Sequence, residues 1–227
     1  MLLLFPILSF FSLSSGCSLI SCHGIQAATV SHSYPCFLPK ADSSICIVLS
    51  SLQQIPEIDV HSLAGSLTFD NCFNHSRRQT AYFGDLPYNY SFTNHTPSPL
   101  SSNSLVQNCI STLNETFPGT GLNSALVNYY PDARAIIPFH ADDETDICYD
   151  SYIFTLSIGS TREMTFRDKN TKQHLLKLAL SNRSLICFSK SSQSYYEHAV
   201  LAGDPQAHIG PRISLTFRKL VRKNPML

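Results

Sequence analysis

His140-Ala141-Asp142 sets an imidazole and a carboxylate two residues apart. In an extended chain residues i and i+2 face the same side, so both side chains reach one metal ion. A second imidazole, His198, sits in the aromatic run Tyr195-Tyr196-Glu197-His198. Two imidazoles and one carboxylate form the facial set that holds non-haem Fe(II) and leaves coordination positions open for a cosubstrate and dioxygen. A lone histidine beside acids also fits a solvated loop, so the triad needs a second element. Arg212-Ile213-Ser214-Leu215-Thr216-Phe217-Arg218 provides one. Its alternation puts Ile213, Leu215 and Phe217 on one face of a strand and Arg212, Ser214, Thr216 and Arg218 on the other. Two guanidinium groups on an inward face need anions, because an unpaired buried charge is costly. A dicarboxylate would meet one of them by a bidentate fork, and the other could pair with it or with the site's own acids. Taken alone, the pair also fits a structural salt-bridge strand.

Positioning these groups calls for short strands. Runs of β-branched and aromatic residues at 125–130, 136–139, 152–158, 163–167, 175–180, 185–188, 195–200 and 213–217 are separated by turn residues. Eight such runs predict a mostly β fold with flanking helices, a double-stranded β-helix or jelly roll. One helix is legible, over 104–113, where apolar residues recur at one-face spacing until Pro118-Gly119 ends it. The Ser- and Pro-rich stretch before it, 96–104, reads as a loop.

Lys plus Arg and Asp plus Glu balance at 16 each, so no global field favours nucleic acid or an anionic membrane, and any anionic partner must be held locally. With 43% hydrophobic and 14% charged residues the chain is globular, and no apolar run is long enough to span a bilayer. The 227 residues suit one domain over 51–222, preceded by an apolar, poorly charged extension over 1–50 and followed by a basic end at 223–227. The extension begins with an apolar run but lacks a basic segment before Lys40, so it reads as a targeting segment or a fragment. Eight cysteines without a CxxC pair, several in apolar runs, read as buried thiols. The even cysteine count, the hydrophobic start and five Asn-x-Ser/Thr triplets carry the contrary reading, a secreted, disulfide-held binding domain.

Taken in order, Asn128-Tyr129-Tyr130, His140-x-Asp142-Asp143-Glu144, Thr155 to Arg162, His198 and Arg212-x5-Arg218 resemble the signature of the AlkB family of Fe(II)/2-oxoglutarate-dependent nucleic-acid dealkylases. The segment Arg78-Gln79-Thr80-Ala81-Tyr82-Phe83-Gly84-Asp85-Leu86-Pro87-Tyr88-Asn89-Tyr90-Ser91 is similar to part of that family's nucleotide-recognition lid. The resemblance implies iron held by His140, Asp142 and His198, and 2-oxoglutarate held by Asn128, Tyr130, Arg212 and Arg218, with Arg212 at the distal carboxylate. It implies substrate contacts from Glu144, facing the exocyclic amine of the damaged base, from Tyr82, Tyr88 and Tyr90 by stacking, and from Arg78 and Arg162, with Arg77 and Arg78 touching phosphate. The implied reaction removes methyl from 1-methyladenine or 3-methylcytosine in single-stranded DNA or RNA with Fe(II), 2-oxoglutarate and O2, giving succinate, CO2 and formaldehyde. A monomer in the nucleus or cytoplasm, with no membrane association, is the matching expectation. No Trp occurs, so a flipped base would have to stack on Tyr, Phe or His140. The alternative that keeps the chemistry is a 2-oxoglutarate oxygenase acting on a protein or small molecule, which the neutral charge favours.

Overall fold

The computed structural model describes residues 45–46, 55–70, 76–90, 93–95, 97–204 and 208–222. Its elements are β1 (Ile45–Cys46), α1 (Val60–Gly65), β2 (Gln79–Gly84), β3 (Tyr88–Tyr90), β4 (Thr93–His95), α2 (Ser104–Thr116), β5 (Ser124–Tyr130), β6 (Ile137–His140), β7 (Tyr152–Gly159), β8 (Arg162–Asp168), β9 (His174–Leu180), β10 (Leu185–Ser189), β11 (Tyr196–Val200) and β12 (Arg212–Arg218). Short 3-10 turns occur at Leu100–Ser102 and Lys190–Ser194. The eight expected strands are β5 to β12, each end within one residue of its expected place.

The strands form a six-stranded sheet ordered β1-β10-β7-β12-β5-β2 and a four-stranded sheet ordered β6-β11-β8-β9, with β3-β4 as a separate hairpin. All the named strand pairs are antiparallel. Two antiparallel sheets facing each other are the expected jelly roll. Strand β12 lies inside the larger sheet, paired to β5 and β7. Its apolar face, Ile213, Leu215 and Phe217, joins a core cluster with Val106, Cys109, Ile110 and Leu113 of α2. Those four residues follow the i, i+3, i+4, i+7 rhythm of a single helix stripe. Asn103 starts the helix by accepting the Val106 N–H at 3.1 Å. A second cluster, including Leu126, Tyr130, Met164, Phe166, Phe188 and Tyr196, fills the space around the opposite face.

Two expectations about boundaries change. Ile45–Cys46 pairs with β10 at the edge of the larger sheet, so the folded unit starts within the stretch expected to be an extension. The presumed lid segment divides: β2 is an edge strand hydrogen-bonded to β5, and only β3 belongs to the hairpin. Burial selects this arrangement, because Thr80, Ala81, Tyr82 and Phe83 are all buried, which a solvent-facing lid would not allow. The remainder of the first 50 residues, Cys72, Asn74 and the basic end at 223–227 lie outside the described residues. Among the described residues no helix is long and apolar enough to cross a membrane.

Candidate active site

Strands β6 and β11 pair so that His140 and His198 stand directly opposite each other, with ring centroids 4.3 Å apart. A cross-strand pair shares one face, so the ladder aims both imidazoles the same way. Asp142 lies two residues beyond the end of β6, and one ligand atom from each of the three residues falls within 4.8 Å of the others. His140 Nδ1 is 2.9 Å from the Pro138 carbonyl, which can only accept, so Nδ1 carries the hydrogen and Nε2 keeps its lone pair. That Nε2 sits 3.6 Å from Asp142 Oδ1.

The Asp142 carboxylate is divided between two tasks. Arg218 Nη2 donates to Oδ2 at 2.7 Å, while Oδ1 is buried and has no hydrogen-bond partner among the described residues. Burial pushes the Asp142 pKa up, but Arg218 and the two histidines outweigh it and hold the carboxyl well below its ordinary range. His198 is pulled down to about 3 by burial and by its neighbour His140, and burial lowers His140 as well. Both imidazoles are therefore neutral, the form that binds a metal. An ionised carboxylate oxygen without a partner, facing two neutral imidazoles, fits a divalent cation.

The cleft above this triad is lined by Asn128 and Tyr130 of β5, Thr155 of β7 and Ser214, Thr216 and Arg218 of β12. At the far end of the β12 row Arg212 is fully buried. It donates through Nη2 to Ser157 Oγ at 2.8 Å, and Nε and Nη1 have no partner among the described residues. Its guanidinium lies 5.1 Å from the Tyr130 ring centre, and burial lowers its pKa. Two buried donors with no partner among the described residues fit a carboxylate ligand. Asn128 is buried next along β5, its Oδ1 accepting from Arg78 Nη1.

Several expected substrate contacts take other positions. Arg78, expected at a phosphate, is buried against Asn128. Arg162 is buried too, donating to the carbonyls of Asp132, Ala135 and Leu201 at 3.1, 2.9 and 2.8 Å, which ties three segments together beside the Tyr130 ring. Tyr82 and Tyr88 are buried and stacked on each other with centroids 5.5 Å apart, so neither presents a free face to a base. Tyr82 donates to the Leu86 carbonyl, and burial raises its hydroxyl to about 12. Tyr88 packs its ring 5.2 Å from the Arg218 guanidinium, supporting the cation that holds Asp142. Tyr90 ends β3, and its side chain lies outside the described residues. Glu144 lies near Asp142: burial and that neighbour raise its carboxyl to about 7, and Oε2 is buried with no partner among the described residues.

Sequence reading missed Ser157, Lys190 and Gln193. The Gln193 side chain accepts the Asp142 N–H at 2.9 Å, and Lys190 Nζ donates to the carbonyls of Asp142 and Glu144. Nothing in the Ser-rich stretch 189–194 marks these two, since their partners lie some 50 residues earlier in the chain. Ser157 could have been found as an inward position on β7 opposite Ser214.

A jelly roll with a His-Asp-His cluster inside and, at the far end of the β12 row, a buried guanidinium with two donors unpartnered among the described residues fits a mononuclear, non-haem metal oxygenase framework. Residues 47–218 match the family model described as the 2OG-Fe(II) oxygenase superfamily. The DNA oxidative demethylase ALKBH2 of Bos taurus is 26% identical over 204 residues, covering 87% of this chain and 71% of the relative. Alpha-ketoglutarate-dependent dioxygenase alkB homolog 3 of Bos taurus is 30% identical over 151 residues, 62% of this chain, and the chain spans about half (51%) of that relative's length. A solved structure described as OsALKBH1 aligns with TM-score 0.47 and 19% identity, covering 66% of this chain and 84% of the other. The chain belongs to the 2OG-Fe(II) oxygenase superfamily, within its AlkB branch, and that family uses Fe(II), 2-oxoglutarate and O2.

Proposed function

We propose that this chain demethylates 1-methyladenine and 3-methylcytosine in single-stranded DNA or RNA, with residues 51–222, extended by β1, as the catalytic unit. The observation that carries the chemistry is the Asp142 carboxylate, one oxygen tied to Arg218 and the other left facing His140 and His198. His140, Asp142 and His198 would hold Fe(II). When bound, the metal supplies the dioxygen chemistry that oxidises the N-methyl carbon while 2-oxoglutarate is split to succinate and CO2, and the methyl leaves as formaldehyde.

The chain's own residues bind, orient and exclude. Arg212, with Ser157 and Tyr130 beside it, would take the distal carboxylate of 2-oxoglutarate, and Asn128 would line its path. Arg218 fixes the Asp142 carboxylate and keeps it ionised. The apolar side chains of Leu126, Ile137, Met164 and Val200 line the remaining wall and limit water. Glu144 stands beside Asp142 with its carboxyl raised to about 7, and in its ionised form it would favour a base methylated at adenine N1 or cytosine N3, which is cationic, over a neutral base. The relatives named as DNA oxidative demethylases support this substrate class. An intracellular, reducing compartment suits Fe(II) chemistry.

The test is incubation of the full chain with Fe(II), ascorbate, 2-oxoglutarate and single-stranded oligonucleotides carrying either base, in DNA and RNA form. The expected result is loss of the mass of one CH2 per modified base, as N–CH3 becomes N–H, absent in His140→Ala. Succinate formed with no change in any oligonucleotide would move the substrate to proteins or small molecules.

A further inference from the structure

The three members of the triad are held by different means. His140 and His198 sit on paired strands, where the ladder fixes each backbone. Asp142 lies beyond β6 in a stretch, 141–144, with no helix or strand. Its position therefore depends on whatever grips that backbone.

The grip comes from the 3-10 turn Lys190–Ser194. Gln193 Oε1 accepts the Asp142 N–H at 2.9 Å, and Lys190 Nζ donates to the Asp142 carbonyl at 3.1 Å and to the Glu144 carbonyl at 3.0 Å. Both side chains are buried, at 8% exposure for Lys190 and 3% for Gln193. The turn is itself braced: Ser189 Oγ accepts the Ser192 N–H, Ser192 Oγ donates back to the Ser189 carbonyl, and Gln193 Nε2 donates to Ser192 Oγ. On the outside Lys169 Nζ bonds the Asp143 carboxylate at 2.7 Å.

Lys190 is the informative member. Its ammonium is buried on two neutral carbonyls and forms no ion pair among the described residues. Taking an ammonium out of water without a bonded carboxylate costs stability, and an apolar side chain of similar length would avoid that cost. What the lysine does that an apolar residue cannot is hold two carbonyls of the 142–144 loop in one geometry. The same turn leads straight into β11 and His198, so a single segment carries one ligand and clamps the loop of another.

We propose that Lys190 and Gln193 are positioning residues for the metal: by fixing the Asp142 backbone they aim its free carboxylate oxygen at the point the two imidazoles share. They set metal affinity without touching the ion. The proposal rests on the triad being a metal site. Partners that orient ligands in this way are typically worth about 10- to 100-fold in metal affinity.

The test is titration of the full metal-free chain with Mn(II), followed by calorimetry and by the electron paramagnetic resonance signal of the ion, beside circular dichroism and melting of the metal-free forms. Lys190→Met and Gln193→Leu are expected to bind Mn(II) about 10- to 100-fold more weakly. Their metal-free spectra should match wild type, and Gln193→Glu, which keeps the acceptor oxygen, should stay within a few fold of wild type. Affinity within twofold of wild type in Gln193→Leu overturns the proposal, and that variant decides by itself if Lys190→Met does not fold. An equal loss in Gln193→Glu overturns it as well, because the acceptor would then not be the cause. Absence of Mn(II) binding by wild type, or binding that survives Asp142→Asn together with His198→Ala, would instead defeat the metal site itself.

Discussion

Strand β12 carries an arginine at each end of one face, six residues and so roughly 20 Å apart, and the two side chains meet opposite fates. Arg218 finds its counter-charge inside the protein: Asp142 accepts its hydrogen bond, the Tyr88 ring packs near it, and its buried Nε has no partner among the described residues. Burial works against its charge, yet Asp142 and its neighbours keep it protonated more firmly than a free arginine. Arg212 is buried as deeply, but among the described residues its side-chain bonds go to hydroxyl groups, of Ser157 and Tyr130, and burial weakens its hold on the proton. A buried cation that the fold neutralises fits a scaffold role, whereas one left without a counter-charge among the described residues fits an anion from outside.

Removing the charge at either end tests this difference. Arg218→Met leaves the Asp142 carboxylate buried and uncompensated, and is expected to destabilise the metal-free protein by about 3–5 kcal/mol in denaturant unfolding. An unchanged melt would mean the pair is not structural. Arg212→Met removes an unpaired buried charge, so the metal-free protein is expected to melt at or above the wild-type temperature. The same change should weaken 2-oxoglutarate binding about 100-fold in an equilibrium titration, the worth of two hydrogen bonds to a charged group at about 1.5 kcal/mol each. Arg212→Lys, which keeps the charge but loses the fork, should fall between. Finding Arg212→Met less stable than wild type would show that the protein already satisfies this group.

Smaller effects sharpen the comparison at its margins. Arg162→Met takes a donor from three carbonyls at once and is expected to cost about 1–3 kcal/mol of stability, with 2-oxoglutarate affinity moved only a few fold through Tyr130. An affinity loss as large as that of Arg212→Met would make Arg162 a cosubstrate contact. Arg77 shares Asp132 with Arg134 on the surface, at 48% side-chain exposure, and Arg77→Ala should leave stability within about 0.5 kcal/mol. If Arg77 meets a phosphate of a single strand, the slope of log affinity against log salt should fall by about 0.7.

The alternation of 212–218 determined that both arginines share a face, and the two-residue step from His140 to Asp142 determined that one strand end delivers two ligands. Strand positions from β5 onward were equally legible, because period-two patterning is written in neighbouring residues. Which strand meets which was not. That His198 stands opposite His140, that Asp142 closes on Arg218, and that Tyr82 and Tyr88 turn inward instead of toward a base depend on groups from distant parts of the chain or on burial. Lys190 and Gln193 mark the same limit: a lysine and a glutamine among serines have no local pattern to betray them, and their hydrogen bonds to the 142–144 loop exist only once the jelly roll pairs β6 with β11. Local periodicity records which face a residue takes, while the pairing of distant strands decides what it meets there.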